Sequence, residues 1–111
     1  MQAPFRPGVC DSQSMKLLTK ELRKKLPPIR GQEDKGLDAI AHVKFFTPDA
    51  HWTWYATEFD GQDIFFGFVK GDFDEFGSFS LSELKRVRGG LGLPVERDLY
   101  FQPTPLRELT R

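Results

Sequence analysis

The sequence has a single cysteine, Cys10, in 111 residues. No intramolecular disulfide can form, and a cysteine-based zinc site is excluded. Cys10 itself reads as an incidental thiol in a loose leading segment rather than a reactive one. Long apolar runs are missing too, because charge interrupts the hydrophobic residues throughout, and no stretch reaches the length of a membrane span. The opening residues show neither a charged start nor a following apolar run of signal-peptide length, so the cytoplasm is the expected location. Formal net charge is +0, whereas a general nucleic-acid binder usually carries a basic excess over its whole domain. Catalytic signatures are also lacking. His42 and His51 do not form an HExxH arrangement, and neither Ser78 nor Ser80 sits in a GxSxG elbow. Gly89-Gly90-Leu91-Gly92 has neither the lysine nor the spacing of a phosphate loop and is read as a helix C-cap.

What is present is a composition too apolar for disorder, with 11 phenylalanines. Large aromatics bury much area each, which lets a short chain build a core. Charge is unevenly spread. Residues 1–36 hold eight Lys/Arg against four Asp/Glu, residues 37–80 hold two against eight, and residues 81–111 hold six against four. A basic start therefore precedes an acidic middle.

Residues 1–14 show no periodic apolar pattern and are expected to be a disordered N-terminal extension. Met15-Lys16-Leu17-Leu18-Thr19 looks like the natural beginning of one α+β domain over 15–111. Leu18, Leu22 and Leu26 repeat every four residues and predict a helix from about Lys20 to Leu26, with Thr19 as N-cap and Pro27-Pro28 as its stop. Gly31 to Gly36 is a polar loop. Strands are predicted at Ala39–Phe46, Trp52–Phe59, Ile64–Lys70 and Phe76–Phe79. Links this short force antiparallel neighbours, so the fold class is an antiparallel β-meander of about four to five strands with two to three short helices packed on it. Trp52, Trp54 and Ala56 share one face of the second strand, with Tyr55 and Phe59 on the other. In the third, Ile64, Phe66 and Phe68 oppose Phe65 and Val69. Both faces are apolar, so helices, a partner or a ligand must cover the second face. Ser80-Leu81-Ser82-Glu83 is a capping box for a helix that Gly89-Gly90 ends. Leu99-Tyr100-Phe101 reads as a last strand, and Thr104-Pro105 as the N-cap and first residue of a terminal helix.

Several groups of residues carry the side chains that chemistry would need. His42 and His51 could meet across the first hairpin and bind zinc or iron with a carboxylate, but one histidine in the sheet and one in a turn is the favoured reading. Asp60, Asp63, Asp72, Asp74 and Glu75 crowd two turns near one end of the meander, where they could bind a cation or face a partner; turn chemistry alone also favours aspartate there. Phe66-Gly67-Phe68-Val69 reproduces the centre of the RNP1 pattern that stacks RNA bases, yet its flanking residues and the order of elements do not fit. Glu96, Arg97 and Asp98 beside Tyr100 could serve an enzyme, or form surface ion pairs.

From Met15 onward the chain resembles a family known as domain of unknown function 2958. The resemblance rests on Met15-Lys16-Leu17-Leu18-Thr19, His42-Val43-Lys44-Phe45-Phe46-Thr47-Pro48, the run from Trp52 to Gly61, the run from Gly77 to Leu84, and the run from Gly92 to Phe101. It implies a setting: short bacterial proteins often encoded on plasmids, integrative elements and phages, near genes for DNA maintenance, transfer or antirestriction. It implies no site residues.

The expected function is a non-enzymatic protein-interaction module of such an element, an accessory or anti-defence factor, with no cofactor and no metal. Trp52 and Trp54, if exposed, and the acidic Asp72, Asp74 and Glu75 are its candidate partner surface. The alternative is a single-stranded nucleic-acid binder, using Lys20, Arg23, Lys24 and Lys25 around the sheet aromatics Phe66 and Phe68.

Overall fold

A computed structural model describes residues 17–110. The expected extension at 1–14, Cys10 and the proposed start at Met15 lie outside the described residues. The elements in chain order are α1 (Lys20–Lys25), a 3₁₀ segment (Glu33–Asp38), β1 (Ile40–Ala41), β2 (Val43–Phe46), β3 (Thr53–Phe59), β4 (Ile64–Lys70) and β5 (Glu75–Ser80). They continue with α2 (Leu81–Arg86), β6 (Glu96–Arg97), β7 (Thr104–Pro105) and α3 (Leu106–Leu109). Five strands form one antiparallel sheet in the order β5-β4-β3-β2-β6, and β1 pairs with β7 in a separate ribbon. The architecture is an α+β meander.

Local chemistry sets most boundaries. Thr19 Oγ1 accepts the Leu22 N–H at 3.2 Å and starts α1; Pro27 has no N–H to continue it. Ser80 Oγ accepts the Glu83 N–H at 3.0 Å and starts α2. Asp63, from the β3–β4 turn, adds a second cap by accepting the N–H and hydroxyl of Ser82 at 2.9 and 2.8 Å.

The predicted strand over Ala39–Phe46 is broken at His42 into β1 and β2, and Gln32 supplies the reason. Its side-chain Nε2 donates to the carbonyls of Ile40 (3.0 Å) and Thr57 (2.8 Å), and its Oε1 accepts the Ile40 N–H (2.7 Å). The amide wedges between β1 and β3 and binds the backbone groups that a continuous ladder would have paired. β1 turns away to meet β7.

A bulge between Ala56 and Glu58 resets the pleat of β3. Phe59 consequently joins the face of Trp54 and Ala56, not that of Tyr55, which corrects the alternation expected from sequence. On that first face, Phe45, Phe59, Phe65 and Phe79 pack against Leu18 and Leu26 flanking α1 and against Leu81 and Leu84 of α2. The Phe59–Phe65 and Phe65–Phe79 rings stack at 4.6 and 5.3 Å. On the second face, Tyr55 and Phe68 lie under Ala41 of β1, Leu106 of α3 and Phe101. The cover expected for that face is thus the β1–β7 ribbon and α3.

Three boundaries differ from expectation. Leu99-Tyr100-Phe101 is not a strand. Asp98 still donates its N–H to the Lys44 carbonyl (2.9 Å), but its carboxylate then accepts the Tyr100 N–H (2.9 Å) and turns the chain outward. The last strand of the sheet is β6 instead. α2 ends at Arg86 with Val87 extended, two residues before the glycines thought to cap it. Thr104 does not cap α3; it lies in β7, donates its hydroxyl to the Gln102 carbonyl at 2.6 Å, and leaves Pro105 as N-cap.

Candidate functional site

β5 is an edge strand, and its pairing shows which groups it leaves open. The Leu81 N–H donates to the Asp63 carbonyl at 2.8 Å, marking Asp63/Leu81 as a hydrogen-bonded pair. The register then makes Phe65/Phe79, Gly67/Gly77 and Val69/Glu75 the following bonded pairs. Phe76 and Ser78 therefore direct their N–H and C=O groups away from β4, to the free side. Both residues are exposed, with Phe76 at 50% and Phe73 in the preceding turn at 81%. The opposite edge, β6, is only two residues long.

The turn that leads into β5 carries Asp72, Asp74 and Glu75, all exposed. Asp72 accepts from or pairs with His51 Nε2 at 2.8 Å, joining this turn to the β2–β3 turn. The His51 ring stacks on Trp52, and Trp52 stacks on Trp54, each at 6.1 Å. Trp52 is 37% exposed and lies over Gly71, whereas Trp54 is 8% exposed and belongs to the core. Of the candidate partner surface, the fold brings Trp52, Asp72, Asp74 and Glu75 to one end of the sheet and withdraws Trp54.

The two acidic turns, expected near one end of the meander, lie at opposite ends of it. Asp60 and Asp63 precede β4 while Asp72, Asp74 and Glu75 follow it, and successive meander turns fall at opposite ends of a strand. The first pair is committed to the fold. Asp60 Oδ1 accepts the N–H groups of Gln62, Asp63 and Ile64 at 2.8–3.0 Å; these bonds hold its carboxyl below the usual carboxylate range.

The residues of the nucleic-acid alternative are not brought together. Lys20, Arg23, Lys24 and Lys25 are on α1, which covers the first face, while Phe66 and Phe68 are on the second. Arg23 is also occupied locally, 5.4 Å from the Phe59 ring centre and donating to the Gly61 carbonyl at 3.3 Å. Phe68 is buried beneath Tyr55 and Phe76, with ring distances of 6.4 and 5.0 Å. The glycine of the RNP1-like run has a packing reason, since a Cβ on Gly67 would overlap the Tyr55 carbonyl.

His42 and His51 lie at opposite ends of the β2–β3 hairpin. Among the described residues no three His, Cys, Asp or Glu side chains are grouped as a metal site needs. Burial is the main reason the His42 imidazole is held below its ordinary pKa, with Lys25 and Lys35 adding to it. Asp98 forms an ion pair with Lys44 at 3.7 Å, Glu96 and Arg97 form β6, and Tyr100 points into solvent at 88% exposure.

Three features were not anticipated from the sequence. Gly89-Gly90-Leu91-Gly92 is a tight turn around Asp49, whose Oδ2 accepts the N–H groups of Leu91 (2.6 Å) and Leu93 (3.3 Å). A Cβ at Gly89 would collide with that carboxylate. Glu58 is a charged residue inside the molecule, 4% exposed. Its two oxygens accept the backbone N–H groups of Arg30 (2.8 Å) and Gln32 (2.9 Å). Beside it, on the second face, opens a groove of about 500 Å³. An acid in a run of otherwise buried strand positions was the available signal for Glu58, since acids are almost never fully buried without a partner. Nothing in the sequence marks Gln32 as more than a loop residue.

Among the described residues no helix is long and apolar enough to cross a membrane. No curated protein and no solved structure matches the chain. A family model does match it over residues 17–110, nearly all of its length, and the chain belongs to that family, the proteins of unknown function DUF2958.

Proposed function

We propose that this chain is a non-enzymatic protein-interaction module that docks a partner along the open edge of β5 and the acidic turn preceding it. The observation that carries the reading is the edge itself: the outward backbone groups of Phe76 and Ser78, flanked by exposed Phe73 and Phe76 and by Asp72, Asp74 and Glu75. A strand edge of this kind is a template for another chain, and natural proteins usually blunt it with lysine, proline or a bulge. β5 (EFGSFS) has none of these. An extended partner segment would gain ladder hydrogen bonds there, with apolar contacts to Phe76 and a salt-sensitive contact to the acidic turn. The mobile-element setting implied by the family resemblance makes a host defence enzyme the first class of partner to seek. The separation of the α1 cations from Phe66 and Phe68 favours a protein over single-stranded nucleic acid.

The test is affinity recovery of the tagged chain from bacterial lysate, with and without nuclease, alongside Ser78→Pro. Proline at 78 removes only an outward N–H, so the sheet keeps its bonds while the edge is blocked. A stoichiometric protein that survives nuclease with the wild type and is absent with S78P supports the reading. Recovery of nucleic acid, or of proteins lost with nuclease, overturns it.

A further inference from the structure

Glu58 accepts one hydrogen bond on each carboxylate oxygen, from the Arg30 and Gln32 backbones, and has no ion-pair partner among the described residues. Those two bonds hold the 29–32 segment against β3. They leave a lone pair on each oxygen and do not cancel the charge. The same residue lines the groove of about 500 Å³, whose other walls are mainly apolar: Ile29, Leu37, Phe66, Phe76 and Leu106. A second acid, Glu33, also lines it, against one cation, Arg30.

We propose that this groove binds a small organic cation, an amine or guanidine carried on an apolar body, with its charged head at Glu58 and its body between Leu37, Phe66 and Phe76. Charge complementarity selects the cation, because a carboxylate withdrawn from water attracts an opposite charge more strongly than the same group in bulk solvent. Size selects a free molecule over a partner's side chain. The volume lies within the range of about 300–1,000 Å³ typical of small-molecule sites, well beyond what one lysine or arginine fills. The walls contribute apolar burial, and the few polar groups set the orientation of the head.

The test is an NMR titration of the full 111-residue chain with phenethylammonium and n-hexylguanidinium, using n-hexanol and hexanoate as controls. The expected result is saturable shifts at the Leu37 and Leu106 methyls and the Arg30 and Gln32 amides with both cations. Binding of hexanol should be weaker by a factor of about ten or more, the equivalent of a lost charge-assisted contact, and hexanoate should not bind. Glu58→Gln should reduce cation affinity to that of hexanol. Because E58Q also removes an acceptor from the 29–32 segment, Phe76→Ser provides a second variant at a half-exposed position, and it should weaken both cations and hexanol while the spectrum stays folded. Equal affinity for hexanol and the cations, shifts elsewhere than the groove, or no shift at millimolar concentration each overturns the proposal. E58Q leaves the β5 edge intact, so loss of cation binding with retained partner recovery separates this site from the docking reading.

Discussion

Replacing Trp54 with alanine should bring the domain close to unfolding, while the same change at Trp52 should be tolerated. The two rings stack on each other at 6.1 Å but occupy different environments. Trp54 is 8% exposed, faces Phe45 across the β2–β3 ladder and belongs to the larger core cluster, so its removal leaves a cavity in that core. Large-to-small changes of this kind cost about 3–5 kcal/mol, a large share of the about 5–15 kcal/mol typical of a whole domain. Trp52 is 37% exposed. Its loss removes a stacking contact of about 0.5–1.5 kcal/mol and part of its buried area, for roughly 1–2 kcal/mol in total. With a urea m-value of about 1.5 kcal/mol/M, Trp54→Ala should lower the unfolding midpoint by about 2–3 M and Trp52→Ala by about 1 M. Urea titrations followed by far-ultraviolet circular dichroism avoid relying on the fluorophore being removed. Equal midpoints for the two variants, or a larger shift for Trp52, would refute the assignment of Trp54 to the core and Trp52 to the surface.

Three further outcomes follow from single side chains. Gln32→Leu strands the Ile40 N–H and the carbonyls of Ile40 and Thr57; an unsatisfied buried group costs about 1–3 kcal/mol, and because only the Thr57 bond is fully buried while the two Ile40 groups can still reach water, the variant should lose about 2–4 kcal/mol, and hydrogen exchange should show the Ile40 amide losing protection. Gly89→Ala displaces the Asp49 carboxylate from Leu91 and Leu93, so a double-mutant cycle should find Asp49→Ala nearly without further effect once alanine is at 89. His42 is held below its ordinary pKa by burial first and by Lys25 and Lys35 next. The unfolded chain then binds its proton before the folded one does as pH falls. Stability should be unaffected well above about pH 6.5 and decline as pH falls below that towards the lowered value; His42→Asn should flatten that part of a urea-midpoint profile between pH 7.5 and 5.5.

The main sheet was largely legible in the sequence because its signals are local. The β3–β4 link contains Asp60-Gly61, β4 begins and ends where its apolar run does, and the Thr19 and Ser80 caps are formed by their own neighbours. The departures come from side chains acting across the fold. Gln32 breaks one strand into two from eight residues away, the β3 bulge moves Phe59 to the other face, and Asp98 ends a strand that the Leu99-Tyr100-Phe101 hydropathy favoured. Asp49 claims the glycine-rich turn from 42 residues away. The candidate surface was legible in part for the same reason. Asp72, Asp74 and Glu75 are a contiguous acidic turn in any fold, but whether Trp52 or Trp54 reaches solvent depends on what α1 and α2 cover. The open edge of β5 follows only from strand order, and the Glu58 groove only from how the 29–37 segment folds back over β3.

The central claim, that partners dock on the β5 edge, is tested most directly by placing a photo-crosslinking benzoylphenylalanine at Ser78 or at Lys24. Position 78 is on the open edge and position 24 on the helix that covers the first face. After irradiation in bacterial cells, the account predicts one discrete protein adduct from position 78 and none from position 24. Adducts formed from position 24 alone, or nucleic-acid adducts from either position, would contradict it.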